Sequence, residues 1–249
     1  AVHISNLMKK GYIAGKGYVN TATGALCFAV PLLSTTDSLM PYTVSMTYNS
    51  EFAGKTYQYP NAQTAYSTSY MPYGFKLNIN ETIIEKRYTN STAGQSTYYI
   101  WADSDGTEHS FFAIYDSEKE EYKYVNEDGL PLTLDVSPSI CTITDETKTI
   151  KTFTKMASVP TSDVYGAWYL TSITDKNNNK ITFTFDDTHK PIGVNLTPNG
   201  GSTISFLSFV YNNDGHLSMI RNDTSEEPIA SVYSDTNNGY IVSTGTKYH

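Results

Sequence analysis

The chain has 249 residues, a net charge of −8 at pH 7 and an isoelectric point near 5.0. This acidic balance, without any cluster of Lys and Arg, excludes the phosphate-binding surfaces of nucleic-acid-binding proteins. The 21 tyrosines and the abundant Thr and Ser residues suit half-buried strands better than helices. No run of about 18 apolar residues occurs, so the sequence predicts no transmembrane segment.

The N-terminal stretch AVHISNLMKKGY has neither an initiator Met nor the apolar core of a signal peptide. We therefore expect a mature product or a piece excised from a longer polypeptide. The two cysteines, Cys27 and Cys141, are expected to be buried thiols, with a disulfide between them as the alternative. A polar, Tyr- and Asn-rich composition with few cysteines favours a secreted or cell-surface bacterial protein.

Three segments show the alternation that is typical of β-strands. In Tyr42 to Tyr48 (YTVSMTY), Tyr, Val and Met fall on one face, and Thr and Ser on the other. Ile181 to Phe185 (ITFTF) repeats this pattern. Ile204 to Tyr211 (ISFLSFVY) begins in the same register but changes phase after Phe206, which predicts either a β-bulge or burial on both faces.

Turn signals follow one another at short intervals along the chain. Asp-Gly and Asn-Gly pairs favour the positive φ angles of tight hairpins. Such signals stand at Asp105-Gly106, Asp128-Gly129, Asn177-Asn178-Asn179, Asn199-Gly200-Gly201, Asp214-Gly215 and Asn238-Gly239. No segment carries an apolar stripe of helical period and length. The sequence therefore predicts an all-β fold of antiparallel hairpins with almost no helix.

Two stretches interrupt this rhythm. Phe52 to Tyr73 is rich in Tyr, Ser, Thr and Ala without clean alternation, and we predict a long loop over residues 52–73. Residues 157–164 (ASVPTSDV) predict a boundary between an N-terminal β region, residues 1–156, and a set of repeated hairpins, residues 165–249. We expect the second region to continue directly from the first.

The Tyr-rich loop is the one surface that suggests a binding function. Its tyrosines could form a platform for sugar rings or a peptide, because a Tyr side chain has an apolar body and a polar tip. Alternatively, the rings cover the edge of a sheet or pack on another part of the polypeptide. The candidate residues are Tyr57, Tyr59, Tyr66, Tyr70 and Tyr73.

Motifs of known catalytic or cofactor sites are missing from the sequence. It has no phosphate-binding glycine loop and no Gly-x-Ser-x-Gly nucleophile motif. The five His residues are isolated and lack zinc-ligand spacing, so they are expected in turns or on strand surfaces. His109, beside Glu108, is the best placed for acid–base chemistry. We therefore expect a protein without catalytic activity, cofactor or metal.

One stretch mimics a calcium-binding loop. Asp175, Asn177 and Asn179 have the spacing of the first three ligands, and Asp186 stands at the twelfth position. However, Lys180 replaces the glycine that the sharp turn requires, and the following residues have the pattern of a strand. A polar hairpin turn is therefore the favoured interpretation.

Two segments in the C-terminal half share a pattern. Leu170 to Asp175 (LTSITD) leads through a turn into Ile181 to Asp186 (ITFTFD). Phe209 to Asn212 (FVYN) leads through Asn213-Asp214-Gly215 into Leu217 to Asn222 (LSMIRN). Each segment contains an aromatic strand that ends in Asp or Asn, and a Leu-x-x-Ile strand followed by a turn. Repeated units of this kind stack and bury one another's faces in extended β architectures.

These segments resemble the YD repeats of Rhs proteins, whose pattern is roughly aromatic-Asp-x-x-Gly-Arg-Leu-x-x-Ile. Four residues match the pattern in one copy: Tyr211, Gly215, Leu217 and Ile220. The departures are His216 at the position of Arg, and Thr188-His189-Lys190-Pro191 where the other copy would have its Gly-Arg turn. The residues expected to define the repeat turns are Asp105, Gly106, Asp214 and Gly215.

The resemblance extends to the N-terminal half of the chain. VNTATG (residues 19–24), FAVPLL (residues 28–33) and TYNS (residues 47–50) look like the segment that opens many Rhs-type polypeptides. The turns at Asp105-Gly106 and Asp128-Gly129 fit the hairpins that follow that segment. The Pro-rich, Asp-containing segment that supports self-cleavage in this family is missing, so we expect no self-processing.

The resemblance implies a curved, extended antiparallel sheet of the YD-shell type, partly closed into a sandwich or barrel as a variant. It also implies that the chain is the N-terminal part of a secreted or cell-wall-associated bacterial polypeptide. In that polypeptide it would form part of a β-shell that contains or presents a C-terminal cargo, often a toxin. Its partners would be further repeats, the cargo and cell-wall or host glycans. The alternative is a carbohydrate-binding or adhesive β-sandwich that uses exposed tyrosines.

Overall fold

The computed structural model describes residues 13–14, 17–20, 24–34, 39–54, 70–90, 94–157, 164–222, 228–234 and 240–244. Every strand in these residues pairs in the antiparallel sense, and the only helical element is one turn of 3-10 helix, Ser50–Phe52. The prediction of an all-β fold with almost no helix is confirmed. The strands form two sheets, and part of the larger sheet closes into a barrel.

The first sheet is formed by five strands that pair in the order in which they occur in the sequence. They are β1 (Ile13–Ala14), β2 (Gly17–Val19), β3 (Leu26–Ser34), β4 (Thr43–Asn49) and β5 (Phe75–Leu77). The alternation predicted for Tyr42 to Tyr48 appears in β4, where Val44 and Met46 are buried in the core. Burial also reaches the other face of β4 at Thr47, whose hydroxyl donates a hydrogen bond to the carbonyl of Ser104.

The barrel consists of eight strands. They are β6 (Thr82–Asn90), β7 (Gly94–Ala102), β8 (Glu108–Asp116), β9 (Glu121–Asn126), β10 (Thr133–Val136), β11 (Ile140–Thr144), β12 (Ile150–Lys155) and β13 (Val164–Thr174). The long strand β13 closes the barrel because it pairs with β6 on one side and with β12 on the other. Closure removes the free edges that an open sheet would expose.

The larger sheet continues beyond the barrel as a ribbon of hairpins. The ribbon strands are β14 (Lys180–Phe185), β15 (Pro191–Thr197), β16 (Ile204–Tyr211), β17 (Leu217–Asn222), β18 (Pro228–Ser234) and β19 (Tyr240–Thr244). The ribbon begins at the C-terminal end of β13, whose last three residues pair with β14. The predicted boundary at residues 157–164 therefore falls at the connection between the paired barrel strands β12 and β13, and the strands on both sides of it belong to the larger sheet.

The phase change predicted after Phe206 corresponds to a β-bulge. Leu207 pairs with Val194, and Ser205 pairs with Asn195, so Phe206 is the extra residue in β16. The bulge lets both Phe206 and Leu207 be buried. In β14, Ile181 and Phe183 are buried as the alternation predicts.

One apolar core joins the first sheet, the barrel and the ribbon. Val44 and Leu77 of the first sheet belong to the same buried cluster as Phe111 of the barrel and Phe183 of the ribbon. Tyr42 contacts Phe183 with ring centroids 5.6 Å apart. Because these side chains come from all three parts, the parts are held together by burial of apolar surface.

Both cysteines are buried and neither is part of a disulfide, so the alternative of a bond between them does not apply. Burial raises the pKa of Cys141 to about 12, with the carboxylate of Glu85 adding to the effect. This thiol therefore stays protonated at neutral pH.

The part of the chain that the structure describes contains no helix with the length and hydropathy that a membrane span requires.

Candidate functional site

The polar residues of the barrel converge at one of its ends, where the turns between β7 and β8 and between β9 and β10 lie. In the first turn, the N–H groups of Asp105 and Thr107 each donate to Oδ1 of Asp103 at 3.0 Å. The N–H of Gly106 donates to the carbonyl of Asp103 at 3.0 Å, with φ of 86° at Gly106. This is a tight turn followed by a residue in the left-handed region, and the Asp side chain replaces part of the backbone hydrogen bonding.

The second turn has the same construction. The Oδ1 atom of Asn126 accepts from the N–H groups of Asp128 at 2.9 Å and Leu130 at 3.3 Å. Gly129 supplies the left-handed residue, with φ of 67°. The turn geometry places Asp128 beside the start of β8.

His109, the second residue of β8, lies between these two turns and is fully buried. Its Nδ1 atom is 2.8 Å from Oδ2 of Asp128, and its Nε2 atom is 3.2 Å from Oδ2 of Asp103. The ring of Trp101 lies against the imidazole with centroids 4.9 Å apart. Both ring nitrogens therefore face a carboxylate inside the protein.

The pKa of His109 results from two opposing effects. Burial alone would lower the pKa because it disfavours the charged form, but the hydrogen bonds and charges of Asp103 and Asp128 outweigh it and raise the pKa above its ordinary value. A neutral imidazole has one N–H and could donate to only one of the two carboxylates. The arrangement consequently favours an imidazolium that donates to both.

Lys76 connects the first sheet to this end of the barrel. The side chain is buried, and its Nζ atom donates to the carbonyls of Asp103 at 2.5 Å and Asn80 at 3.0 Å. Burial lowers the pKa of Lys76, while the carboxylates of Asp103, Glu81 and Asp105 oppose this shift. Lys76 thus binds the turn that also holds His109.

A second ion pair, between Lys151 and Glu81, also contacts Trp101. The Nζ atom of Lys151 is 2.6 Å from Oε1 and 2.8 Å from Oε2 of Glu81, and Trp101 donates from Nε1 to Oε2 at 2.9 Å. Lys151 also lies over the Trp101 ring, 4.9 Å from its centroid. We call the whole set the polar cluster, which consists of Lys76, Glu81, Trp101, Asp103, Asp105, His109, Asp128 and Lys151.

The hydrogen bonds of the polar cluster join protein groups to one another. His109 has both ring nitrogens hydrogen-bonded and has no exposed surface, so it offers no free lone pair to a substrate. Among the described residues, no group of three or more His, Cys, Asp or Glu side chains is arranged to hold a metal ion. The cluster can instead hold turns, barrel and first sheet together through charge-assisted hydrogen bonds.

The two sequence-predicted tyrosines that the structure describes, Tyr70 and Tyr73, lie in different environments. Tyr70 is only 2 % exposed, and its hydroxyl donates to Oδ1 of Asn80 at 2.9 Å, so its assignment to an exposed platform is wrong. Its backbone carbonyl accepts from Leu217, and the side chain fills the space between first sheet and ribbon. Tyr73 is 58 % exposed. Tyr57, Tyr59 and Tyr66 lie outside the described residues.

The predicted repeat turns adopt one common geometry. Asn212 organises the turn that contains Asp214 and Gly215: its Oδ1 accepts from Asp214 at 3.0 Å and from His216 at 2.9 Å, and Gly215 has φ of 79°. Asp105 and Gly106 occupy the equivalent positions in the barrel turn. Further turns with the same hydrogen bonds begin at Asn126, Asp145, Asp175 and Asp186.

The calcium-loop mimic is one of these turns. Both carboxylate oxygens of Asp175 accept hydrogen bonds from protein donors, namely the N–H groups of Asn177 and Asn179 and the Asn179 side-chain amide. Asp186 begins the next turn along the ribbon and accepts from Thr188 and Lys190. The interpretation as polar hairpin turns is confirmed.

The expectation that His residues lie in turns or on strand surfaces is wrong for His109. Its neighbour Glu108 is exposed, because adjacent strand residues point to opposite faces, and the partners of His109 are Asp103 and Asp128 instead. His189 and His216 do lie in turns. The signal that could have identified the partners is the recurrence of Asp/Asn-x-x-Gly on both sides of β8.

No protein-family profile matches the chain, and no curated protein is significantly similar to it.

Proposed function

We propose that the chain is a non-enzymatic structural segment of a secreted or cell-surface Rhs/YD-repeat-like polypeptide, in which it contributes to a β-shell around a C-terminal cargo. The observation that carries this proposal is the ribbon β14–β19, a row of hairpins that runs on from a closed barrel. Within the described residues, β19 is hydrogen-bonded only to β18. A strand with an unpaired side is a template for further pairing.

The ribbon supports the proposal because the residues of the repeat pattern have separate structural roles. The aromatic residue Tyr211 ends a strand, and its hydroxyl donates to the carbonyl of Pro191 in the neighbouring hairpin. Asn212 organises the turn, and Gly215 adopts the left-handed conformation there. Leu217 and Ile220 are buried in the core. A sequence with this pattern can therefore be extended by adding hairpins of the same kind.

The polypeptide from the complete coding region provides the test. We expect electron microscopy to show a hollow shell in which further hairpins pair with β19, and limited proteolysis to leave the enclosed segment intact. A structure in which β19 remains a terminal edge, or in which the following segment is digested as readily as an isolated domain, would contradict the proposal. Turnover of any member of a broad glycoside and peptide substrate panel by the chain would contradict its non-enzymatic character.

Glycan adhesion is a second candidate function, and an aromatic row on the outer wall of the barrel favours it. Tyr98 and Phe112 pair across β7 and β8 with their rings stacked 5.5 Å apart. Tyr88 contacts Tyr98 with centroids 5.8 Å apart and is 44 % exposed. Val125 extends the row on β9. Aromatic rings and exposed apolar side chains of this kind are common in binding surfaces.

A glycan array and a cell-wall pulldown test this second function. If the row binds glycans, the double substitution Tyr88→Ala and Tyr98→Ala abolishes saturable binding. The matched control is Tyr115→Ala with Tyr122→Ala, which removes an exposed cross-strand pair at the tip of the β8–β9 hairpin and should leave binding unchanged. The absence of saturable binding by the unmodified chain would exclude adhesion through this surface.

A further inference from the structure

The two carboxylates that hold His109 come from two different turns, and this links parts of the molecule that are distant in sequence. Asp103 belongs to the β7–β8 turn, and Asp128 belongs to the β9–β10 turn. Through its backbone carbonyl, Asp103 also accepts a hydrogen bond from Lys76 of β5. Asp103 is therefore the shared contact between His109, the barrel and the first sheet.

This linkage depends on the number of protons on the imidazole. With two protons, His109 donates to Asp103 and Asp128 at the same time. With one proton, one carboxylate faces a ring nitrogen lone pair at hydrogen-bond distance, and that contact becomes repulsive. The carboxylate that loses its donor would remain buried and only partly satisfied, which is unfavourable in a medium of low polarity.

We propose that the Asp103–His109–Asp128 contact is a pH-sensitive latch that holds the first sheet on the barrel end and loosens when the imidazole loses one of its two protons as the pH rises. The latch is closed when the imidazole carries both protons. When the imidazole loses one proton, its hydrogen bond to Asp103 weakens, and the Asp103 turn is held less firmly. The hydrogen bond that the Asp103 carbonyl accepts from Lys76 then weakens as well. The first sheet then separates more readily from the barrel.

The remaining charges around His109 favour the closed latch. Four carboxylates converge here, from Glu81, Asp103, Asp105 and Asp128, and even with Lys76 and Lys151 both charged they outnumber the ammonium groups. The imidazolium reduces this excess of negative charge. Tyr18 of β2 lies beside Asp105, and burial together with this carboxylate raises the pKa of its hydroxyl, so it stays neutral throughout the relevant range.

The direction of the pKa shifts of His109 and Lys76 determines the pH range over which the latch opens. The pKa of His109 is raised in the folded state above the value of about 6.5 for an unfolded His, so its contribution to stability is fully present below that value and is lost as the pH rises through the folded pKa. Lys76 acts in the opposite direction because its pKa is lowered in the folded state, so stability increases as the pH rises through its folded pKa. A His109 variant separates the two effects because it removes only the first.

The first test compares chemical unfolding of the unmodified chain, His109→Gln and the matched control His216→Gln between pH 6.5 and 9. In the unmodified chain and the control, we expect the folding equilibrium constant to fall by up to about tenfold per pH unit until the folded pKa of His109 is passed. In His109→Gln this dependence should be absent. Equal pH dependence in His109→Gln and the control would overturn the proposal.

The second test uses the unmodified chain and does not require the variant to fold. Nitrogen NMR of the His109 ring should show two protonated nitrogens at pH 6 and only one after the latch has opened. Amide exchange in β5 should accelerate over the same pH range relative to β11, after correction for the intrinsic pH dependence of exchange. A ring with a single proton at pH 6, or a constant ratio of β5 to β11 protection, would contradict the latch.

Discussion

The turn at Asp103–Thr107 in the barrel and the turn at Asn212–His216 in the ribbon have the same hydrogen bonds but opposite surroundings. In both, the first side chain accepts from the N–H groups two and four residues later, and a glycine with positive φ follows. Asp103, Asp105 and Thr107 are buried. Asn212, Asn213 and Asp214 are exposed.

The difference shows that the same turn pattern, Asp or Asn followed three residues later by Gly, has two structural roles. In the ribbon, the Asn212 side chain only satisfies backbone donors, which any Asp or Asn can do. In the barrel, Asp103 uses one carboxylate oxygen for the turn and the other for His109. The negative charge of Asp103 therefore has a role that the neutral Asn212 side chain does not have, because it faces His109.

The largest effect is expected from Asp103→Ala compared with Asn212→Ala. Asp103→Ala removes the turn acceptor and leaves a buried imidazolium with one carboxylate, so we expect a loss of about 3–5 kcal/mol in the free energy of unfolding. Asn212→Ala removes only the exposed turn acceptor and should cost about 1 kcal/mol. Chemical denaturation monitored by fluorescence measures both losses.

Asp103→Asn is the control for this comparison. It keeps an acceptor for the turn but removes the negative charge beside His109, so its loss should fall between those of the two Ala variants. If Asp103→Ala and Asn212→Ala destabilise the protein equally, the barrel turn has no role beyond its own hydrogen bonds.

A smaller effect is expected where the polar cluster pairs Glu81 with Lys151. Lys151→Met leaves the buried Glu81 carboxylate with Trp101 as its side-chain donor, and the free energy of unfolding should fall by about 1–3 kcal/mol. The matched control is Lys123→Met, which removes the exposed pair with Asp116 at a hairpin tip and should cause no measurable change. If Lys151→Met and Lys123→Met had equal thermal midpoints, the buried Glu81–Lys151 pair would stabilise the protein no more than the exposed Asp116–Lys123 pair.

The smallest effects concern the residues with positive φ in the turns. Lys148 is exposed and has φ of 67°, so Lys148→Gly should stabilise the protein by up to about 1 kcal/mol through relief of strain. Gly129 also has φ of 67°, and a Cβ there would meet no atom within 4 Å, so Gly129→Ala should cost about 1–2 kcal/mol from backbone strain alone. Effects of the same sign in the two variants would contradict this explanation.

The strands and turns could be predicted because their signals are local. Alternation identified β4 and β14, and the phase change after Phe206 identified the bulge, since side-chain direction in a strand depends on position parity. The Asp-x-x-Gly turns follow from the need for a left-handed residue at the fourth position. Barrel closure, by contrast, depends on β13 pairing with β6, which is distant in the sequence.

The polar cluster could not be predicted because its contacts join residues that are far apart. Lys151 and Glu81 are 70 positions apart in the sequence. Charged residues in an alternating strand are normally assigned to the solvent face, but the closed barrel buries the carboxylate of Glu81 and the imidazole of His109. The burial of Tyr70 differs from its prediction for the same reason, since nothing nearby in the sequence shows that first sheet and ribbon enclose it.

Native-state amide hydrogen exchange of the two compared turns tests the structural role of the polar cluster most directly. The N–H groups of Asp105 and Thr107 should exchange only through global unfolding, because both are hydrogen-bonded within the buried cluster. The N–H groups of Asp214 and His216 make the same bonds at the surface and should exchange through local opening at much lower free energy. Similar exchange free energies in the two turns would show that the cluster opens to solvent, and would contradict its assignment as a closed structural element.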